Sequence, residues 1–429
     1  KPRSAQSARR RARGEGRAAA LLAYAALLTV PLWFPWAVNL APVYADMRFQ
    51  EAQGISDRAG LDLNQLVTVL DDYIGTVRSS PGEDFYYLSL GRALMTTGDA
   101  LRAQNVPLGQ PNPNANVLDL VALSDPAAVA SFIQSSSPLS MMSYAEVVLL
   151  KAHELNPMNK DHFANLGRLN NYWYGITRDP GRLRLAISWY ERVAPIAPND
   201  VTLINERAGV VGELGDYAKA AHDTALAQTQ YDQAAELLRH SAELDSRYAD
   251  TYLRLGDLEQ RRGGDPAKAT DFYVKAIELA PTVAANGVQN VADAMAAHPD
   301  QIGRLRDAFI AAAQKAENRL TTMERNPEQA AGAGTVRGQV ALLNAVVGML
   351  WVRAGNVGSS LGPYQHAVAL QPNNVEYSRN YTIVLSDTKQ YAEAVAETNR
   401  LIAALQATGQ TNQLSQVQQL MLAVQRAQH

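Results

Sequence analysis

The chain has 429 residues, 39 basic and 42 acidic side chains and a formal net charge of −3. It contains no cysteine, which excludes disulfides, thiolate catalysis and Cys-ligated zinc. Residues 1–17 hold seven of the basic groups and one acid, Glu15, which leaves the remainder at 32 basic against 41 acidic, a net of −9. A body of that charge does not suit a phosphate-tracking groove, so nucleic acid is not an expected partner.

From Ala18 to Pro42 the sequence reads AAALLAYAALLTVPLWFPWAVNLAP, without a charged residue. About 20 apolar residues at 1.5 Å rise cross a hydrocarbon layer of roughly 30 Å, so a transmembrane helix is predicted over 18–42. Pro31 and Pro35 fall late in the run, where they kink or end a helix. Trp33, Trp36 and Tyr44 stand where interfacial aromatics stand. The basic segment 1–17 is then cytoplasmic, and the rest projects into the periplasm or extracellular space from a single pass through the cell (inner) membrane. Val43-Tyr44-Ala45 before Asp46 also resembles a leader-cleavage site, but the run is long for a signal core and carries two tryptophans and two prolines, which favours a retained anchor.

Beyond Asp46 one spacing returns: a bulky residue, Leu-Gly three and four positions on, then a small residue, a bulky one, a small one and a proline. Its clearest copy is Tyr252, Leu255-Gly256, Ala269, Tyr273, Ala276 and Pro281. A second is Phe163, Leu166-Gly167, Ala186, Tyr190 and Pro198. A third opens at Tyr87 and Leu90-Gly91 and resumes after an insertion at Ala145, Leu149, Ala152 and Pro157. Weaker copies run through Ala234, Leu238 and Ser241, through Ser360, Tyr364, Ala367 and Pro372, and through Tyr381, Tyr391 and Ala394. Small residues let antiparallel helices approach, bulky ones fill the gap, and proline ends the second helix.

These features resemble tetratricopeptide repeats. The resemblance implies an all-α fold, a TPR α-solenoid of helix-turn-helix repeats over 46–405, preceded by one transmembrane helix. Two sections break the period. Residues 101–142 form an insertion that opens with the loop NVPLGQPNPNANV and has one short helix near Asp125–Gln134. Residues 283–336 are helical but irregular and end in a flexible AAGAGTVRG linker. Residues 406–429 are expected to cap the last repeat, with Leu414, Val417, Leu420, Leu422 and Val424 on one apolar side.

The resemblance also implies a binding role, because in this family the first helix of each pair lines a concave surface. Carried over by position, Arg92, Asn165, Arg168, Asn171, Arg254, Asp257 and Arg261 are the groove candidates. They do not reproduce the Lys/Asn set with which tetratricopeptide domains clamp a peptide carboxylate. Expected partners are proteins, through the groove or the 101–142 insertion, and a lipid bilayer through 18–42.

No catalytic, cofactor or metal site is expected. Gly358-Ser359-Ser360-Leu361-Gly362 matches the G-x-S-x-G string but places Ser360 at a small packing position between helices. Gly332–Gly338, GAGTVRG, lacks the Gly-Lys-Ser/Thr ending of a phosphate loop. The seven histidines show no paired ligand spacing, and His153 and His162 are read as exposed or capping. Asp71 and Asp72 diverge by about 100° on a helix and make no acid–base pair.

Pro35 through Pro42-Val43-Tyr44-Ala45-Asp46, with Glu83-Asp84-Phe85-Tyr86-Tyr87-Leu88-Ser89-Leu90-Gly91-Arg92-Ala93-Leu94, also resembles O-antigen ligase/polymerase-like proteins. That resemblance implies a last membrane helix followed by an outward repeat region, with Lys1–Arg17 as a cytoplasmic loop before it. The expected function is a membrane-anchored extracytoplasmic scaffold for protein–protein assembly without catalysis by this chain. The alternatives are the accessory tail of such a polysaccharide enzyme and a single-pass structural subunit of a larger membrane complex.

Overall fold

The computed structural model describes residues 24, 40–58, 60–326, 328–410 and 413–428. The expected basic segment and nearly all of the expected transmembrane helix lie outside them. Among the described residues every regular element is a helix. They fall into two compact units, one ending at Pro198 and one starting at Asn199.

In the first unit α1 (Ala41–Ser56) pairs with α2 (Leu63–Ser79). Helix α3 (Asp84–Ala103) is followed by the short helices α4 (Val117–Val121) and α5 (Pro126–Ser135), and pairs across them with α6 (Pro138–Leu155). Helix α7 (Lys160–Thr177) pairs with α8 (Pro180–Val193). Local chemistry sets the starts. Asp125-Pro126, Ser137-Pro138 and Asp179-Pro180 each combine a side-chain cap on an early helical N–H with a proline whose missing N–H costs nothing there. The insertion therefore holds two helices, not one. Asn116 starts the extra one through a capping box with Asp119, a five-residue helix too short to leave a period.

In the second unit α9 (Val201–Ala220) pairs with α10 (Thr224–Leu244), and α11 (Ala249–Arg261) with α12 (Pro266–Leu279). Two short helices, α13 (Pro281–Ala285) and α14 (Val288–Ala294), precede the 27-residue α15 (Pro299–Arg325), which packs on α16 (Ala333–Arg353). Then come α17 (Leu361–Leu370), α18 (Val375–Asp387), α19 (Tyr391–Ala407) and the terminal α20 (Leu414–Gln428). The stretch expected as a flexible linker is instead an exposed 3-10 turn, Ala330–Gly332, followed by the start of α16, where Ala333, Val336 and Val340 bury against Leu320. Helix α16 with the turn before it is long and apolar enough to cross a membrane, but half of that window is buried in the unit, as in a core helix. On α20 only Val417 and Val424 are buried, and Leu422 is exposed, so the capping face is narrower than expected.

One contact recurs at the centre of the helix pairs. A Cβ on Gly167 would stand 2.7 Å from the Tyr190 ring, on Gly256 2.7 Å from Tyr273, on Gly215 2.8 Å from Tyr231 and on Gly348 2.8 Å from Tyr364. In the α3–α6 pair Leu149 replaces the ring, 2.7 Å from the same point on Gly91. Glycine on the first helix thus admits a ring or leucine from the second to within backbone contact. Ala145, Ala186, Ala227, Ala269 and Ala367, all buried, let the helices close around it. In most pairs the connection after the first helix contains a left-handed residue: Gly60, Asn105, Arg178, His222, Gly263, Gly355 or Lys389. This repeated hairpin has the form that the tetratricopeptide resemblance implies.

Candidate functional site

In the first unit the inner helices α1 and α3 enclose, with α2, a hollow of roughly 250 Å³. Phe85, Ser89, Arg92 and Thr96 recur at helical spacing on the face of α3 that lines it. Phe49 of α1 and Tyr73 of α2 form the apolar wall, and Phe49 packs against Tyr73 and Phe85 with ring centroids 5.7 and 5.0 Å apart. Phe85 keeps half its surface exposed at the rim. The polar wall adds Gln53, Ser56 and Asp57.

Arg92 is the cation of this hollow. Its Nε donates to Asn165 Oδ1 at 2.9 Å, and Asn165 is itself fixed by donating to the Asp161 carbonyl at 2.6 Å. Nε is the one nitrogen of Arg92 with a hydrogen-bond acceptor among the described residues. The guanidinium lies below its ordinary value, first because protein crowds it and second because Arg168 is near. An arginine so placed stays protonated, and an arriving carboxylate or carbonyl relieves both penalties. Asn171, expected beside these three, is half-buried away from the hollow, and its Oδ1 meets no donor among the described residues.

The other three expected groove residues sit in the second unit, where they are engaged differently. Arg261 gives two bonds to Asp216, from Nε at 2.8 Å and Nη2 at 2.5 Å, and Arg254 pairs with Asp250 at 2.6 Å. Tyr231 donates to Asp216 at 2.7 Å and Tyr273 to Asp257 at 2.6 Å. Burial pushes both phenols up, and the adjacent carboxylates push them further. Asp257 retains accessible surface but stands in a crowded concavity, which raises its carboxyl against the lowering effect of the Tyr273 hydroxyl and two arginines. Asp216 and Asn205, which bonds Asp250 and Thr251, were missed by the sequence reading. A readable signal was present: Leu214-Gly215-Asp216 repeats Leu255-Gly256-Asp257, and each is followed by a tyrosine that covers the glycine and bonds the aspartate.

The insertion forms a further hollow of roughly 670 Å³, between α4 and the outer face of α6, lined by Val117, Leu118, Val147 and Leu150. Leu118 and Leu150 are exposed there.

His153 and His162 are neither exposed nor capping. His162 is fully buried, with Nε2 2.6 Å from Asp84 Oδ2, an oxygen that Asn159 also reaches at 3.1 Å. His153 is half-buried edge-on to Phe163 and Trp189, at centroid distances of 4.5 and 5.7 Å. Burial tends to raise the Asp84 carboxyl, but Asn159, His162 and Asn156 together hold it below the usual carboxylate range. The folded chain therefore binds fewer protons here than the unfolded one. The resulting stability is complete above the unfolded value of about 4 and is lost as pH falls through the folded one. Asp84→Asn is expected to cost about 1–2 kcal/mol at pH 7, with the gap from the parent narrowing as pH falls below about 4, measured by urea midpoints across that range. A gap that stays constant with pH would contradict the ionic role.

Ser360 of the G-x-S-x-G string is fully buried in the turn Gly358–Ser360 and donates to the Val357 carbonyl at 2.6 Å. Its hydroxyl is spent on packing. Asp71 and Asp72 both bind Arg48. Among the described residues no three His, Asp or Glu side chains gather as a metal set.

The fold is an all-α array of helix hairpins of TPR-like form. Among solved structures, the chain is similar to a tetratricopeptide repeat protein from Parabacteroides merdae, at 11% identity and TM-score 0.34, covering 80% of this chain and 99% of that one. It is also similar to a thermophilic TPR protein in Thermus thermophilus, at 14% identity and TM-score 0.32, covering 58% and 92%. A third is YrrB, a TPR protein with an unusual peptide-binding site, at 15% identity and TM-score 0.30, covering 55% and 86%. No protein-family model matches the sequence, and no curated protein matches it. Nothing among these comparisons speaks for the O-antigen ligase-like resemblance.

Proposed function

We propose that this chain is a membrane-anchored, extracytoplasmic scaffold whose first unit holds an extended segment of a partner protein in the Arg92 hollow. The observation that carries the reading is the contrast between the two units. In the second, the inner-face arginines are neutralised by Asp216 and Asp250, so they serve the fold. In the first, Arg92 donates from Nε to a neutral amide and feels Asp161 only through space, at the edge of a hollow with an aromatic wall and several small hydroxyls. That combination suits a peptide with an apolar side chain for Phe49 and Phe85 and a carboxylate or main-chain carbonyl for Arg92. The anchoring half of the reading is supported by the uncharged run 18–42 behind the arginine-rich segment.

Selection from a random peptide display library against the full chain in detergent tests the binding half. The expected product is an acidic-plus-aromatic or acidic-plus-aliphatic consensus whose binding falls by about 1.5–3 kcal/mol, tenfold or more, with Arg92→Glu. Arg261→Glu should leave it unchanged. Failure to enrich any consensus, or a consensus indifferent to Arg92→Glu, would overturn the reading.

A further inference from the structure

The first helix of the repeat array exposes more apolar surface than its packing requires. Helix α1 buries Ala41, Ala45, Phe49 and Ala52 against the unit. On its opposite side Leu40, at its N-cap, and Val43, Tyr44 and Met47 are 55%, 58%, 48% and 66% exposed. Their spacing of i, i+3, i+4 and i+7 places them in one stripe. Four large apolar side chains exposed within eight residues make a patch, not scattered surface hydrophobics.

The stripe changes character along the helix. Glu51 and Gly54 continue its line one and two turns beyond Met47, Gln50 flanks it, and all three are exposed and not large apolar residues. The apolar part is the end that adjoins the uncharged run 18–42. From Leu40 to Met47 the helix rises about 10 Å, close to the depth of one headgroup layer. Tyr44 carries the aromatic body and polar tip favoured at that level. Arg48, the nearest basic group, lies 5.9 Å over the Tyr44 ring at the edge of the stripe but is paired with Asp71 and Asp72, so its charge is compensated, and the exposed carboxylate of Asp46 flanks the stripe.

We infer that the stripe Leu40, Val43, Tyr44 and Met47 sits in the lipid interface, so that the first repeat helix leaves the bilayer with one face still immersed. The inference rests on the membrane-anchor reading and goes beyond it. It assigns a lipid-contacting surface to the repeat domain itself and holds the first hairpin at the membrane surface instead of on a free tether.

The chain has no cysteine, so single sites can be labelled cleanly. Val43→Cys, Met47→Cys and Gly54→Cys, the last with open space around it, would each carry an environment-sensitive fluorophore. The full chain is reconstituted into phosphatidylethanolamine/phosphatidylglycerol vesicles with and without a lipid bearing a shallow nitroxide quencher. The expected result is flotation with the vesicles, blue-shifted emission at positions 43 and 47, and roughly twofold or stronger quenching there, against a water-like, unquenched signal at 54. Flotation with water-like labels at 43 and 47 would overturn the inference and leave the anchor standing. Dry labels that the lipid quencher does not reach would also overturn it, because the stripe would then pack on protein. A chain that does not float would overturn the anchor and the inference together.

Discussion

Arg48→Ala is expected to destabilise the first hairpin by about 2–3 kcal/mol, because it strands two adjacent carboxylates that one guanidinium now serves. Arg48 Nη2 reaches Asp71 Oδ2 at 2.7 Å and its Nε reaches Asp72 Oδ1 at 3.0 Å, with all three side chains less than a quarter exposed. Burial already raises the Asp72 carboxyl, and Arg48 only partly offsets it. Without Arg48 that carboxyl rises further and takes a proton more readily folded than unfolded. The variant's deficit should therefore be largest at pH 7 and shrink as pH falls toward the unfolded value of about 4. Gly75 supplies an internal check. A Cβ there would stand 1.7 Å from Arg48 Nη1, so Gly75→Ala must push the guanidinium off its partners. In the Arg48→Ala background the same change should cost almost nothing. Hydrogen exchange of the α1 and α2 amides measures all three variants, and full additivity would contradict the shared mechanism.

Gly256→Val should destabilise the second unit by about 3 kcal/mol, through overpacking where the fold has least room. The atoms that a side chain would meet are ring carbons of Tyr273, a buried residue whose hydroxyl is bonded to Asp257, so the ring cannot swing aside without losing that bond. Gly303→Ala is the contrasting case. Its nearest neighbour is Arg306 Nη2 at 3.7 Å, an ordinary van der Waals separation, and the change should stabilise α15 by about 0.5–1 kcal/mol through helix propensity. Adding Tyr273→Ala to Gly256→Val should recover part of the loss. Thermal unfolding followed by far-ultraviolet circular dichroism reads these variants, and equal effects at Gly256 and Gly303 would dismiss the close-contact explanation.

The helix hairpin was legible because its chemistry is local. Glycine, ring and alanine recur within one pair, and Gly256 with Tyr273 or Gly167 with Tyr190 could be paired from spacing alone. The α9–α10 pair was misread for a physical reason. Helix α10 has 21 residues where α8 and α12 have 14, so two registers, Ala227 with Tyr231 and Ala234 with Leu238, both satisfy the small-then-bulky rule and both are buried. Only the first covers Gly215. The polar partners were not legible, because they depend on how successive hairpins stack. Arg92 finds Asn165 across 73 residues and Arg261 finds Asp216 across 45, which decides that one arginine faces a hollow and the other is consumed by the fold. Burial of His162 escaped notice for the same reason, since its partner Asp84 lies on an earlier hairpin.

The central claim, that the first unit holds a partner's segment at Arg92, is most directly tested by a photocrosslinking residue at Ser89, a lining position of the hollow, in the full chain within its native membranes. The account predicts a discrete protein adduct whose crosslinked peptide carries an acidic residue, and its loss when Arg92→Glu is added. Adducts only with lipid, or a protein adduct that persists in the Arg92→Glu chain, would contradict it.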